Sequence, residues 1–317
     1  MRARQPDSTG FVERDGVHIF YEVFGRGEPT LLLLPTWSII HSRHWKMQVP
    51  YLARHFRVVT FDGRGNGRSD RPPRPEDYAE SEFAEDALAV MAATGTSRAA
   101  LVSFSLGAQR ALLLACGQPE RVSGAVFIAP SLPIAAGHPE RAVHAFAEQL
   151  GTGDGWAKYN AHHWRRDYRD FLEFFFSRVF TEPHSTKQRE DAVRWGLETD
   201  AETLIATQNA PSLETREQVL ELCSGVRCPV LVIHGDEDAI SPHARGHALA
   251  EATRGQLVTL AGSGHAPHAR DPVKVNLLIR EFIETLPRNA PRARAHPIAT
   301  PERASREQRA RPVSATS

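Results

Sequence analysis

The chain has 317 residues, 41% of them hydrophobic, enough for one large core or for a core with an added lobe. Lys+Arg and Asp+Glu both number 38, so no basic excess exists to neutralise phosphates, and nucleic acid is not expected as a partner. The apolar run Leu31 to Leu34 stops at Pro35, far short of the roughly 20 residues a membrane helix needs, and the charged N-terminus has no apolar stretch behind it. With three sparse cysteines (Cys116, Cys223, Cys228), this predicts a cytoplasmic protein without a membrane partner.

Residues 1–10 read as a flexible N-terminal arm. Phe11 to Arg14 and Val17 to Phe24 alternate around Asp15-Gly16, a two-residue hairpin signal. Thr30 to Leu34 is continuously apolar, as a strand buried on both faces should be. His44 to His55 has helical spacing of Trp45, Val49 and Leu52. Arg57 to Phe61 is a strand, and Glu82 to Ala93 a helix ending near Gly95. Ala99 to Phe104 is a strand, Leu106 to Cys116 a helix, and Ala125 to Ala129 a strand. The rhythm then breaks into a helical, aromatic-rich block. Strands return at Pro229 to Ile233 and Gln256 to Leu260, each followed by a helix, Ala244 to Ala252 and Val273 to Thr285.

Strands alternating with helices define an α/β fold, a mostly parallel sheet with helices on both faces. Residues 11–131 and 226–287 are expected to form this core, and 132–225 an inserted helical cap. Residues 288–317, rich in Arg, Ala and Pro, are expected to be a disordered tail.

Ser105 lies between the strand ending at Phe104 and the helix beginning at Leu106. A serine at such a turn exposes its hydroxyl at the C-terminal edge of the sheet, with a helix N-terminus behind it. Small residues at 103 and 107 keep the turn tight; here they are Ser103 and Gly107, where the usual motif has glycine at both. The plainer reading of Ser105 is a helix N-cap. Two later loops favour the catalytic one. The strand ending at Ile233 runs into His234-Gly235-Asp236-Glu237-Asp238, and the next strand into Gly262-Ser263-Gly264-His265-Ala266-Pro267-His268. A serine hydroxyl becomes a nucleophile only when an imidazole takes its proton, and the imidazole needs a carboxylate to fix its tautomer. Asp238, further into its loop, is preferred over Asp236, which braces the loop; His265 is preferred over His268.

These segments, together with Leu31 to Trp37 and the turn Asp62-Gly63-Arg64-Gly65-Asn66-Gly67-Arg68-Ser69-Asp70, carry a resemblance. From about Phe11 to Leu286 the chain resembles the α/β-hydrolase superfamily. Within it, the chain is similar to the capped bacterial serine esterase, haloperoxidase-like and C–C hydrolase branches. The resemblance implies Ser105, Asp238 and His265 as catalytic residues and an oxyanion hole from the backbone N–H groups of Leu106 and Trp37. Most relatives have His-Gly where this chain has Pro35-Thr36, which leaves the path of that loop open.

The Gly63, Gly65, Gly67 run lacks phosphate-loop spacing and reads as a tight turn. The histidine pairs lack a third ligand, so no metal is expected. The Phe171 to Phe180 cluster reads as cap core that in part lines a pocket; Trp164, Phe175 and His44 are the candidate lining residues. Trp45 is assigned to the core. The expected function is hydrolysis of a small to medium carboxylic ester with an apolar or aromatic acyl group, without a cofactor. Acyl transfer and C–C bond hydrolysis would use the same triad. A non-catalytic ligand-binding receptor on the same fold is the rival from another class. Aspartate-nucleophile chemistry is disfavoured by serine at 105. The expected partner is a small-molecule ester, and a homodimer is a candidate assembly.

Overall fold

The structure, a computed structural model, describes residues 4–287. Eight strands form one sheet: β1 (Ser8–Arg14), β2 (Val17–Phe24), β3 (Thr30–Leu33), β4 (Arg57–Phe61), β5 (Ala99–Phe104), β6 (Val122–Ile128), β7 (Val230–Gly235) and β8 (Gln256–Leu260). Their spatial order is β1-β2-β4-β3-β5-β6-β7-β8. β2 opposes β1 and β4; all other pairings are parallel. The β1–β2 hairpin turns on Asp15 (φ 52°) and Gly16 (φ 80°), the two left-handed residues that a tight hairpin turn requires. The expected N-terminal arm is shorter than predicted: Ser8 to Gly10 pair with Tyr21 to Val23, and Asp7 N–H bonds the Val23 carbonyl.

Eleven α-helices are found among the described residues: α1 (Val49–Leu52), α2 (Glu80–Ala93), α3 (Gly107–Gly117), α4 (Ala161–Arg166), α5 (Tyr168–Val179), α6 (Thr186–Gly196), α7 (Ala201–Gln208), α8 (Arg216–Gly225), α9 (His243–Thr253), α10 (Pro267–Arg270) and α11 (Pro272–Thr285). The helix expected over 44–55 is instead a 3-10 turn (Ser42–Trp45) followed by the single turn α1, which carries Pro50 in its first turn.

Residues alternate across the central strands, so each strand feeds two cores. Leu32, Leu34 and Leu101 pack with α2, α3, α8 and α9. Leu31, Leu33 and Val102 pack on the other face with α1 and α11. Burial on both faces explains why β3, β5 and β6 read as nearly unbroken apolar runs. Helices α4 to α7 form the insertion between β6 and β7. α8 lies within the range predicted for the insertion, yet Val219 and Cys223 join the sheet core and the helix packs on α3 and α9. The expectation of a disordered tail falls on residues 288–317, outside the described residues.

Candidate active site

Chain order reverses between β3 and β5: β4 lies on one side of β3, and the later strands continue on the other. In an open parallel sheet the carboxyl ends at such a reversal diverge and leave a crevice. Trp37 follows β3 and Ser105 follows β5, so both fall at this crevice. Ser105 has φ 52°, a strained conformation for a residue with a side chain. Its backbone is fixed from both sides: Ser105 N–H bonds the Ile128 carbonyl (3.0 Å), and the Ser105 carbonyl accepts from Ser131 N–H (3.0 Å). Ser103, in place of the usual glycine, is fully buried on β5 and donates its hydroxyl to the Val126 carbonyl (3.1 Å).

The three predicted side chains come together. Ser105 Oγ lies 2.9 Å from His265 Nε2, and His265 Nδ1 lies 2.7 Å from Asp238 Oδ2. Asp238 is buried, and its other oxygen accepts from the backbone N–H groups of Ile240 and Ser241, both at 2.8 Å. A second imidazole meets the same carboxylate: His234 Nε2 lies 3.0 Å from Asp238 Oδ2 and 3.0 Å from the Ser241 carbonyl. Both neighbours are acceptors, so Nε2 of His234 carries the proton and donates to both. Burial alone would raise the Asp238 pKa. The charge of His265 and the hydrogen bonds from His234 and His265 outweigh it and hold the carboxyl well below the usual range. Asp236 braces its loop by accepting from Gly262 N–H (2.7 Å). Gly235 is required here, because a Cβ at that position would sit 2.0 Å from the Ser263 carbonyl of the histidine loop.

The Pro35-Thr36 loop is held against the start of α3. A Cβ on Gly107 would lie 2.6 Å from the Pro35 carbonyl, so glycine lets helix and loop touch. Arg110 on α3 is buried and donates from Nη1 to the carbonyls of Pro35 (3.0 Å) and Thr36 (2.6 Å). Its remaining nitrogens pair with Glu80 at 2.8 and 3.2 Å. Among the backbone hydrogen bonds of the described residues, neither the Leu106 nor the Trp37 N–H finds an acceptor. Both are the donors that the resemblance proposed.

A cavity of about 260 Å³ opens beside Ser105 and His265, walled by Trp37, Phe175, Phe176 and Trp195 among others. Of the predicted lining residues, Phe175 and His44 reach it. Trp164 does not. Its indole is fully buried against Phe171 (4.4 Å between ring centres) and Phe146 (4.8 Å), with Nε1 bonded to the Lys158 carbonyl. Trp45 is core, its Nε1 bonded to the Leu34 carbonyl (3.1 Å). A second, smaller cleft of about 200 Å³ shares Ser105, Trp37 and Phe175 with the first and is also lined by Arg141, Tyr159 and Gln208. Sequence reasoning missed Arg110, Glu80 and His234. His234, next to last in β7 and four residues before Asp238, reads as buried strand, and a buried Arg–Glu pair 30 residues apart leaves no signal either.

The Gly63-Arg64-Gly65-Asn66-Gly67 turn has a structural role. Gly65 and Gly67 are left-handed (φ 96° and 62°), and Arg64 is buried in a bidentate pair with Asp86 (2.8 and 2.7 Å).

This architecture, with serine, acid and histidine on the C-terminal edge of a mostly parallel sheet, is that of an α/β hydrolase. The alpha/beta hydrolase fold family matches residues 29–272, and the chain belongs to it. It is 25% identical to the AB hydrolase superfamily protein YisY of Bacillus subtilis over 84% of this chain and 95% of that one. It is 28% identical to a pimeloyl-[acyl-carrier protein] methyl ester esterase of Xanthomonas oryzae, covering 84% and 99% of the two chains. Among solved structures, the esterase RhEst1 from Rhodococcus superposes with a TM-score of 0.71 at 26% identity, covering 87% and 98%. The enol-lactonase from Burkholderia xenovorans shares the fold, with a TM-score of 0.70 at 21% identity over 87% and 100%. Family and relatives support a hydrolase. No helix among the described residues is long and apolar enough to cross a membrane.

Proposed function

We propose that this protein is a serine hydrolase that cleaves a carboxylic ester through an acyl-enzyme. The observation that carries the reading is the unbroken chain Ser105 Oγ, His265, Asp238 at 2.9 and 2.7 Å, with the serine held at φ 52°. Ser105 Oγ attacks the ester carbonyl while His265 Nε2 takes its proton. The carbonyl oxygen becomes negative and is met by the N–H groups of Leu106 and Trp37. Collapse breaks the bond to the alkoxy oxygen, which leaves as an alcohol with the proton from His265. Water then attacks the acyl-enzyme with His265 as base, releasing the acid and restoring Ser105. Asp238 holds the His265 tautomer and stabilises its charged form.

The insertion acts as a cap that sets the substrate. Phe175, Phe176, Val179 and Trp195 come from it to the larger cavity, which favours an apolar or aromatic acyl group. At about 260 Å³ that cavity falls below the ~300–1,000 Å³ of sites for drug-sized ligands, so the acyl group is small to medium. The smaller, more polar cleft that also reaches Ser105 suits the departing alcohol.

A panel of nitrophenyl esters assayed with wild type and Ser105→Ala tests the reading. Turnover is expected in wild type and loss of at least about 10³-fold in the variant. A fluorophosphonate probe should label Ser105. Turnover that survives the substitution, or a label on another serine, would overturn the assignment.

A further inference from the structure

The cavity beside Ser105 is lined mainly by carbon, yet four of its lining residues carry buried polar atoms with no hydrogen-bond partner. These are His44 Nε2, His268 Nδ1, Trp195 Nε1 and the Gln188 side-chain oxygen. Native proteins satisfy nearly all buried polar groups, so a group of such atoms around one cavity at the nucleophile points to a ligand that supplies the partners. His44 and His268 are 4% and 1% exposed and face each other, Nδ1 of the first 3.3 Å from Nε2 of the second. Their mutual bond uses one proton. Whichever ring donates, the pair presents one N–H and one bare nitrogen at its two outer atoms. Trp195 Nε1 can only donate.

We propose that this cavity is a subsite for a hydroxylated acyl group, whose hydroxyl exchanges hydrogen bonds with the His44–His268 pair and accepts from Trp195 Nε1. The inference rests on the ester-hydrolase reading and specifies its substrate class. A hydroxyl both donates and accepts, so it fits either arrangement of protons on the imidazole pair. A charged substituent fits less well. Burial keeps both imidazoles uncharged, with their pKa values pushed down, that of His268 to about 3. The two lysines at the cavity, Lys46 and Lys187, are both paired with Asp191.

The test compares nitrophenyl 3-phenylpropanoate with its ortho-, meta- and para-hydroxy analogues and its para-carboxy analogue. Sites built to bond a substrate hydroxyl discriminate strongly against the analogue that lacks it. At least one hydroxy ester should therefore exceed the parent ester by tenfold or more in kcat/KM. His44→Phe and Trp195→Phe should each bring that ratio down toward one, while His44→Gln, which retains a polar end, should keep part of it. A wild-type ratio near one overturns the proposal and assigns the unpartnered atoms to cavity water. So does a ratio untouched by both Phe variants, or preference for the carboxylate. Hydrolysis of the parent ester, with its Ser105→Ala control, reports separately on the hydrolase reading. If no ester turns over, calorimetric binding of the free phenylpropanoic and hydroxyphenylpropanoic acids to the wild-type protein decides: a tenfold preference for a hydroxy acid supports the subsite, and equal binding or none overturns it.

Discussion

The Asp238 carboxylate accepts four hydrogen bonds, from His265, His234, Ile240 N–H and Ser241 N–H. Two imidazole N–H groups share Oδ2, so an amide there would set a donor against donors or force His265 into the wrong tautomer. Asp238→Asn should leave the fold intact by near-UV circular dichroism and lower ester kcat by about 10⁴-fold. A loss under tenfold would mean that His265 needs no anionic partner. Nothing in the sequence marked His234 as part of this network, because a histidine inside a buried strand reads as core. The His44–His268 pair was equally hidden, its members lying 224 residues apart. These buried imidazoles also set a pH dependence of stability. An unfolded histidine takes its proton near pH ~6.5, while burial holds His268 uncharged in the fold down to about 3. Between those values the unfolded state binds more protons, so stability falls as pH falls, by on the order of 1 kcal/mol per pH unit for each such group. Urea unfolding at pH 7 and pH 5 should show His268→Gln losing about 1–2 kcal/mol less than wild type over that interval. An equal loss would mean that His268 is protonated in the fold.

Strands β3, β5 and β8 were legible almost to the residue, because burial on both faces or turn residues at both ends left no rival pattern. The single-turn helices α1 and α10 were not, since one turn presents too little periodicity, and α8 was assigned to the insertion because its apolar spacing does not say which surface it meets. Most consequential was the coupling of α3 to the loop after β3. The missing His-Gly drew attention to Pro35-Thr36, but the sequence could not reveal that Arg110 grips both carbonyls while Glu80 neutralises it. Arg110→Met should cost about 3–5 kcal/mol by leaving Glu80 buried and unpaired. It should also lower ester kcat by about 10²–10³-fold as the Trp37 N–H loses its position. Adding Glu80→Leu separates the two effects. Stability should largely return, since an apolar pair of similar volume often replaces a buried ion pair at little cost, but kcat should stay low. Recovery of kcat in the double variant would show that the clamp serves stability alone.

The insertion and the sheet share one continuous apolar cluster. Trp164, Phe171 and Phe175 of the insertion belong to the same buried group as Leu31, Val102 and Ile233 of the sheet and Ile279 of α11. Trp37 joins the two, its ring 5.9 Å from Trp164 and 5.5 Å from Phe175, while its Nε1 donates to Thr207 Oγ1 on α7 at 2.8 Å. Lys46 and Asp191 add a tie between the loop before α1 and α6. A lobe attached by hinges alone could open with little loss of buried surface, but here separation would expose aromatic rings on both sides. The insertion and core should therefore unfold together. Trp164→Ala empties a large volume and leaves the Lys158 carbonyl without the indole N–H it accepts from, and should cost about 3–5 kcal/mol. Because the cavity forms inside the shared cluster, the loss should shift the whole transition rather than detach the insertion. Urea unfolding of Trp164→Ala, followed by near-UV circular dichroism and by far-UV circular dichroism, should give coincident curves at a lower midpoint. Separate midpoints would mean that the insertion is an independent folding unit, and that the acyl cavity, which has walls on both sides, can open without unfolding the sheet.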